Sequence, residues 1–128
     1  MEVKNIETEL KNAPIDKGAS IKIAKLTGDD ALSIFAAEVA PHSRLNPHYH
    51  TSGIETYQVY RGTGLMRIGR PDGETAVWTD ELHVKTGDCF SIPEGSVHQI
   101  VNESDAPLMV IFSCPAAHLG NDRFFVKD

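Results

Sequence analysis

The chain reads HYHTSGIETYQVYRG from His48 to Gly62. His48 and His50 are separated by one residue, so an extended backbone points both imidazoles to the same face. Thr51-Ser52-Gly53 then offers a turn, and Glu55 begins the next run of alternating residues. The Glu55 carboxylate can therefore return to the pocket that the two histidines line.

A second informative stretch, GDCFSIPEGSVHQIVN, covers residues 87–102. Pro93 and Gly95 are turn-forming residues between two runs that favour strands. His98 lies at the start of the second run, where its ring can point inward, and Asn102 follows on the same face. His98 is therefore a fourth candidate for the same pocket.

The rest of the chain is rich in short strand-like runs and poor in helical signals. Residues 6–13 favour at most one short turn of helix before Pro14. From Ser20 onward, runs rich in Val, Ile, Phe and Tyr alternate with Gly, Pro, Asp and Asn, a pattern typical of an all-β sandwich or barrel. Strands are predicted near 20–26, 31–40, 54–61, 64–69, 75–78, 82–86, 89–92, 97–102, 107–114 and 123–126.

Composition limits the class of protein. The chain has 128 residues, 41% of them hydrophobic, which fits one domain with one core. The net charge of −6 and the absence of a basic cluster argue against nucleic acid as a partner. No apolar run approaches the roughly 18 residues of a membrane span. The mixed, charged N-terminus does not resemble a signal peptide, so a cytoplasmic location is expected. Cys89 and Cys114 are then expected to be buried thiols rather than a disulfide.

These residues carry a family resemblance, since the chain looks like a cupin. The first cupin motif has two histidines one residue apart, then a glutamate and a glycine, and the residues that match it are His48, His50, Glu55 and Gly62. The second motif is matched at every position, by Gly87, Pro93, Gly95, His98 and Asn102. One position departs from the pattern, because His42 stands where the first motif normally opens with glycine. The departure leaves the local turn geometry open and makes His42 a further candidate for the pocket rim.

The resemblance covers residues 20–114 and implies a double-stranded β-helix, a small jelly-roll barrel. The chain is expected to be a single cupin domain over residues 1–128, whose N-terminal lead and C-terminal tail pack on the barrel. The implied site is one divalent metal ion held inside the barrel by His48, His50, Glu55 and His98. Imidazole and carboxylate ligands suit Fe, Mn, Ni, Co or Zn, and the sequence does not choose among them. An octahedral ion with four protein ligands would keep two positions for water, substrate or dioxygen.

The sequence leaves the roles of three other candidate site residues open. Tyr57 shares its strand face with Glu55, so it is either a pocket hydroxyl with a catalytic role or a core tyrosine. Arg67 is either a partner for an anionic substrate group or a solvent-facing residue. Cys114 ends a core strand that could reach the cavity. The polar residues of the C-terminal tail are predicted to lie on the surface: His118, Asp122 and Arg123.

Three functions remain open, because the fold does not determine the reaction. The first is a metal-dependent oxidoreductase of the dioxygenase type that acts on a small polar organic molecule. The second is a metal-dependent isomerase, epimerase or lyase on a sugar or sugar acid. The third is a module that binds a small molecule without converting it. The apolar run over residues 108–113 would be hazardous as an open sheet edge, so a homodimer is expected.

Overall fold

Two antiparallel sheets face each other across the core of the protein. The computed structural model describes residues 1–128. The chain forms, in order, α1 (Ile6–Asn12), β1 (Ile15–Asp16), β2 (Ile21–Gly28), β3 (Ser33–Val39), β4 (His48–Tyr49), β5 (Glu55–Arg61), β6 (Thr63–Asp72), β7 (Thr75–Lys85), β8 (Cys89–Ile92), β9 (Val97–Val101), β10 (Leu108–Cys114), a 3-10 helix (Ala116–Leu119) and β11 (Phe124–Phe125).

The strand order is that of a jelly roll, with distant parts of the chain paired in both sheets. One sheet has the order β1-β2-β3-β10-β5-β8, and the other has the order β11-β4-β9-β6-β7. All pairs between these strands are antiparallel. The predicted all-β fold is confirmed: the two sheets form a double-stranded β-helix.

In β5 and β10 the core forms because inward and outward residues alternate. In β10, Leu108, Val110, Phe112 and Cys114 are buried, while the residues between them are less so. In β5, Tyr57 and Val59 face the same interior. The stacked rings of Phe35 and Phe112, with centroids 5.1 Å apart, join β3 to β10 inside the barrel.

One motif glycine is required by a close approach of two backbones. Gly62 has φ +105°, a conformation that costs little only for glycine. A Cβ atom at this position would lie 2.9 Å from the carbonyl oxygen of Pro107 and 3.2 Å from the Cα of Leu108. The tight turn between β5 and β6 therefore depends on the missing side chain.

Most predicted strands are present, and the exceptions have local causes. The two predicted strands at 75–78 and 82–86 form the single strand β7, because the polar residues 79–81 continue the pairing with β6 across a β-bulge. The strands β1 and β4 were not predicted, since two residues are too few to show a period of alternation. The predicted helical turn is α1, whose Asn5 side chain accepts a hydrogen bond from the Thr8 amide.

Two sequence-based expectations about surfaces change. The apolar run of β10 is not an open edge, because β10 lies between β3 and β5. The edge argument for a homodimer therefore no longer holds, and the dimer stays a prediction.

The two cysteines are both free as expected, but only Cys114 is buried, whereas Cys89 is exposed on the edge strand β8. As for a membrane span, α1 and the 3-10 helix are both too short to provide one.

The core assignment leads to a matched pair of leucine variants. Leu108 is 0% exposed and Leu82 is 63% exposed. Leu108→Ala should lower the free energy of unfolding by about 2–5 kcal/mol, because it removes buried methyl groups and leaves a cavity. Leu82→Ala should change it by less than about 0.5 kcal/mol. Urea denaturation followed by circular dichroism measures both, and equal losses would contradict this placement of β10 in the core.

Candidate metal centre

Four predicted ligand residues meet at one end of the barrel, between the two sheets. His48 lies in β4 and pairs directly with His98 of β9, which places their rings 4.4 Å apart. His50 follows β4 by one residue, and Glu55 begins β5 in the opposite sheet. All four side chains are buried, with relative exposures of 5% or less. Such a group of polar side chains needs internal partners, because water does not reach it.

The spacing of the donor atoms fits one small ion. Glu55 Oε1 lies 3.3 Å from His50 Nε2, and Glu55 Oε2 lies 3.4 Å from His98 Nε2. Bonds of about 2.1 Å from a metal to nitrogen or oxygen put neighbouring ligand atoms about 3.0 Å apart in an octahedron and about 3.4 Å apart in a tetrahedron. One ligand atom from each of His48, His50 and His98 also lies within 4.8 Å of the other two. The cluster is consistent with a metal site.

Backbone carbonyls set the tautomer of all three histidines. The Nδ1 atoms of His48, His50 and His98 lie 2.9, 2.6 and 3.1 Å from the carbonyl oxygens of Asn46, Asp122 and Ser96, respectively. A carbonyl only accepts a hydrogen bond, so each Nδ1 carries a proton and donates it. In a neutral ring this leaves the lone pair on Nε2, as a metal ligand requires. The Nε2 atoms of His50 and His98 have no hydrogen-bond partner although they are buried.

His118 is a fifth buried member of the cluster, which the sequence-based prediction had placed on the surface. It is 0% exposed, because the 3-10 helix turns it inward. Its Nε2 donates to the carbonyl oxygen of Ser52 at 2.6 Å, and its Nδ1 lies 3.1 Å from Glu55 Oε1. Its ring also stacks on that of His50, with centroids 3.9 Å apart and an angle of 4°. His50, Glu55 and His118 form a second group with the spacing of metal ligands.

Burial and neighbouring groups shift the pKa values of Glu55, His118 and His48. Burial alone would raise the pKa of Glu55, but the hydrogen bond with His118 and the neighbouring His50 and His98 rings outweigh it and hold that pKa well below its ordinary value. Burial lowers the pKa of His118, and the hydrogen bonds to Glu55 and Ser52 more than offset it, so the pKa is raised. The pKa of His48 is lowered well below its ordinary value, mainly by burial. Glu55 is therefore an anion, and the raised pKa of His118 favours the protonated ring beside that carboxylate.

The C-terminal segment, residues 115–125, closes this end of the barrel. The Asp122 carboxylate accepts hydrogen bonds from the amide and the hydroxyl of Thr51, both at 2.8 Å, and from the Ser52 amide at 3.0 Å. These bonds hold the pKa of Asp122 below its ordinary value although its partial burial would raise it. From the other side, the Gly53 amide donates to Glu94 at 2.8 Å, and the Gly95 amide donates to the His50 carbonyl at 2.7 Å. The turn between His50 and Glu55 is thus held by two separate parts of the chain.

A cavity of about 20 Å³, room for about one water molecule, lies inside the barrel beside the cluster. Its polar wall includes His48, His50, Glu55 and His118, and Arg123 also lines it. The remaining wall is mostly apolar and includes Ile21, Ile23, Leu45, Ile100, Val110 and Phe112. The site therefore offers a small, largely apolar space that borders a buried group of nitrogen and oxygen donors.

Tyr57, for which the sequence left a pocket role and a core role open, lies in this cavity wall and also belongs to the buried hydrophobic core. Its ring stacks between Phe90 and Phe112, with centroid distances of 5.3 and 5.7 Å. Burial, followed by the neighbouring Glu55 carboxylate, raises the pKa of the Tyr57 hydroxyl well above its ordinary value. The Tyr57 hydroxyl is therefore protonated.

Three other candidates lie away from the cavity. His42 is exposed and contacts Asp105 at 2.6 Å on the surface. Its φ of +56° is the left-handed conformation of the glycine that the motif normally has here, and histidine adopts it more readily than most residues. Arg67 contacts Glu81 and stacks on Trp78 on the outer face of its sheet. Cys114 is buried in the core beside Glu55, and burial raises the pKa of its thiol.

The three site residues that the sequence analysis did not predict all lie in the C-terminal tail. His118, Asp122 and Arg123 were all predicted to be surface residues because their tail is polar and lacks strand periodicity. The tail folds back because β11 pairs with β4, next to His48. The apolar pair Phe124-Phe125 was the available signal, since it predicted that the tail packs on the barrel. It did not show which polar side chains would be carried inward.

Comparisons with known proteins agree with this architecture. The Cupin_2 family model, which describes a cupin domain, matches residues 35–114. Among solved structures, the chain is similar to a double-stranded β-helix protein from Klebsiella pneumoniae, with a TM-score of 0.70, 16% identity and coverage of 100% of this chain and 99% of that one. It is similar to a cupin 2 conserved barrel protein from Salinispora arenicola, with a TM-score of 0.69, 21% identity and coverage of 94% and 93%.

One curated relative is similar to this chain over less than half of its own length. Germin-like protein 4-1 of Oryza sativa subsp. japonica is 28% identical over 105 residues, which cover 78% of this chain. The chain spans 41% of that protein.

The contacts of Asp122 predict a measurable contribution to stability. Asp122→Ala removes an acceptor of three hydrogen bonds, and because this carboxylate is only partly buried the expected loss is about 1–2 kcal/mol in the free energy of unfolding. Asp30→Ala is the matched control, since Asp30 is exposed, and should change stability by less than about 0.5 kcal/mol. Chemical denaturation compares the two variants. If they unfold alike, Asp122 does not hold the turn.

Proposed function

Because the chain belongs to the cupin family, we propose that it is a metal-dependent oxidoreductase of the dioxygenase type that acts on a small organic molecule. In this proposal His48, His50, Glu55 and His98 hold one divalent, redox-active metal ion. His118 is a positioning residue for Glu55, and Tyr57 offers its hydroxyl to the substrate. The cavity beside the cluster receives the polar group of the substrate.

One observation carries the metal assignment. Three buried imidazoles each use Nδ1 to donate to a backbone carbonyl, and two of the remaining Nε2 atoms lie unpartnered within 3.4 Å of one carboxylate. Leaving two buried acceptors without a partner costs roughly 1–3 kcal/mol each, and a bound cation would remove that cost. A purely structural cluster would be expected to use these atoms in hydrogen bonds.

The surroundings of the cluster favour a redox role over proton transfer. A divalent iron or manganese ion in this ligand set supplies a one-electron redox couple and Lewis acidity. An isomerase, epimerase or lyase needs in addition a base that can move a substrate proton. His118 is engaged at both nitrogens, and the rest of the wall is mostly apolar. These contacts leave no free imidazole beside the four proposed ligands.

The cavity also refines the expected substrate. The sequence suggested a small polar molecule, or a sugar for the isomerase function. The small size and mostly apolar wall of the cavity instead favour a compact molecule with one polar group that faces the histidines and Glu55. Apolar walls also exclude water from the reacting group, which would limit side reactions.

The metal assignment is tested by the metal content of histidine variants. The wild type and His83→Ala, an exposed histidine variant, should each bind about one equivalent of Fe(II) or Zn(II). His48→Ala with His50→Ala should lower the affinity by more than about a hundredfold, because removing two ligands should exceed the typical effect of losing an outer contact. Plasma mass spectrometry after gel filtration measures the metal, and circular dichroism checks the fold. Equal metal in a folded double variant would contradict the proposed ligands, and His98→Gln repeats the test if the double variant does not fold.

The redox assignment predicts a difference between metals. Iron-loaded protein should consume dioxygen in the presence of small bidentate oxygen compounds with compact bodies, such as β-diketones and catechols. Zinc-loaded protein should not, because zinc has no accessible redox couple. An oxygen electrode and product analysis by mass spectrometry measure both. Conversion by the zinc form without oxygen uptake would favour an isomerase or lyase, and tight binding without conversion by either form would favour a binding module.

A further inference from the structure

The candidate metal centre is closed to solvent. The side chains of its cluster are each 5% exposed or less: His48, His50, Glu55, His98 and His118. The cavity beside them has room for about one water molecule. The substrate of the proposed reaction is larger than this space, so one wall of the cavity has to move before it can enter.

Most of the cavity wall belongs to elements that are difficult to displace. Its strand residues lie in β2, β3, β4, β5, β9 and β10, and each of these strands pairs with a neighbour on both sides. Two apolar loop residues of the wall, Ala19 and Leu45, are 3% exposed or less and belong to the hydrophobic core. Opening the wall at these places would break strand pairs or expose core side chains.

Residues 115–128 are attached to the barrel in a different way. They include the C-terminal segment and supply the remaining three wall residues, one of which is His118. His118 is the only buried residue among them, and Phe124 and Phe125 are 43% and 41% exposed. Their strand, β11, has two residues and pairs only with the two-residue strand β4. Because little apolar surface is buried here, this part of the chain opens at a lower cost in free energy than the core strands.

Polar contacts hold residues 115–128 in the closed position. The Arg123 guanidinium donates to Asp16 Oδ2 at 3.1 Å, and Asp128 accepts a hydrogen bond from Arg44 on the outside of the barrel. Water can replace such contacts at a small net cost. These contacts therefore favour the closed position and still allow it to open.

We propose that residues 115–128 form a lid that opens to admit substrate to the metal centre. This inference rests on the proposed function, in which the substrate reacts beside the metal. The closed lid also completes the centre, because the Asp122 carbonyl oxygen lies 2.6 Å from His50 Nδ1, and His118 Nδ1 lies 3.1 Å from Glu55 Oε1. Two of the four proposed ligands therefore lose an orienting contact whenever the lid opens.

Hydrogen exchange measured by NMR tests lid opening in the metal-free wild type. The amides of Val126 and Lys127 donate to the carbonyls of Pro47 and Glu74 at 3.0 and 2.8 Å, so they are protected only while the lid is closed. They should exchange at least about tenfold faster than the hydrogen-bonded amides of β10, because the lid opens while the barrel stays folded. Exchange of both sets at one rate would overturn the proposal, since the lid would then open only by global unfolding.

A reversible cross-link tests whether this movement controls access to the metal. Tyr49 and Phe124 are directly opposite in the β4–β11 pair, a position whose Cα spacing suits a disulfide. Tyr49→Cys with Phe124→Cys is made in a Cys89→Ser background, which removes the exposed native thiol. The matched control is Cys89→Ser alone, treated with the same oxidant and reductant.

Access is measured as the rate at which catechol changes the visible absorption of Co(II)-loaded protein. The oxidised variant should react about a hundredfold more slowly than the control, and reduction should restore the rate, because the disulfide stabilises the closed lid. Arg123→Gln, which loses an anchor of the lid, should react several-fold faster than the wild type, whereas the exposed Arg70→Gln should not.

Equal rates in the oxidised and reduced variant would overturn the proposal, because catechol would then enter by another route. If the cross-linked variant does not fold, an unchanged rate in Arg123→Gln contradicts the proposal in the same way. Failure of the proposed function is recognised separately. The wild type would then bind no metal, or would bind catechol without consuming dioxygen, while hydrogen exchange would still report the opening of the lid.

Discussion

The Glu55 carboxylate is the group on which the arrangement of the site depends. It is buried between the two sheets, and its oxygens lie within 3.4 Å of imidazole nitrogens from three other elements of the chain. A buried anion without a compensating partner would cost several kcal/mol, and among these nitrogens His118 Nδ1 is the hydrogen-bonded partner of Glu55, so the strand that begins at Glu55 depends on the 3-10 helix. The Nε2 lone pairs of His50 and His98 face the same carboxylate, and because all of these atoms are acceptors, a cation between them would hold them together.

Hydrogen bonds to backbone carbonyls orient the imidazoles around Glu55. The Asn46, Ser96 and Asp122 carbonyls orient the three imidazoles, and each carbonyl belongs to a segment held by other hydrogen bonds or by strand pairing. Asn102, the last residue of the second motif, acts in a similar way at the far end of β9. Its Nδ2 lies 3.2 Å or less from the carbonyl oxygens of Val39, Ala40 and Ala106, so this buried residue joins loops and does not face the cavity.

Much of the fold and of the donor cluster could be predicted because both depend on local spacing. The period of two in β5 and β10 determines which side chains face inward, and the histidine spacing puts His48 and His50 on one side of the chain. His118 and Arg123 could not be predicted in the same way. Their orientation depends on the pairing of β11 with β4, which joins residues more than 70 positions apart and leaves no periodic pattern in so short a strand. Arg67 shows the opposite case, since ordinary alternation with the buried Met66 in β6 places it on the outer face, one of the two alternatives that the sequence left open.

The folded-back C-terminal segment has an evolutionary consequence. The family model ends at residue 114, so the four predicted ligands lie inside the part that relatives share, whereas residues 118, 119 and 123 of the cavity wall lie outside it. Substitutions at residues 119 and 123 can remodel the wall without changing the barrel strands, whereas His118 and Asp122 of the same tail also hold Glu55 and the turn after His50. Descendants of one ancestral barrel can in this way acquire new ligand preferences while they inherit the same donor cluster.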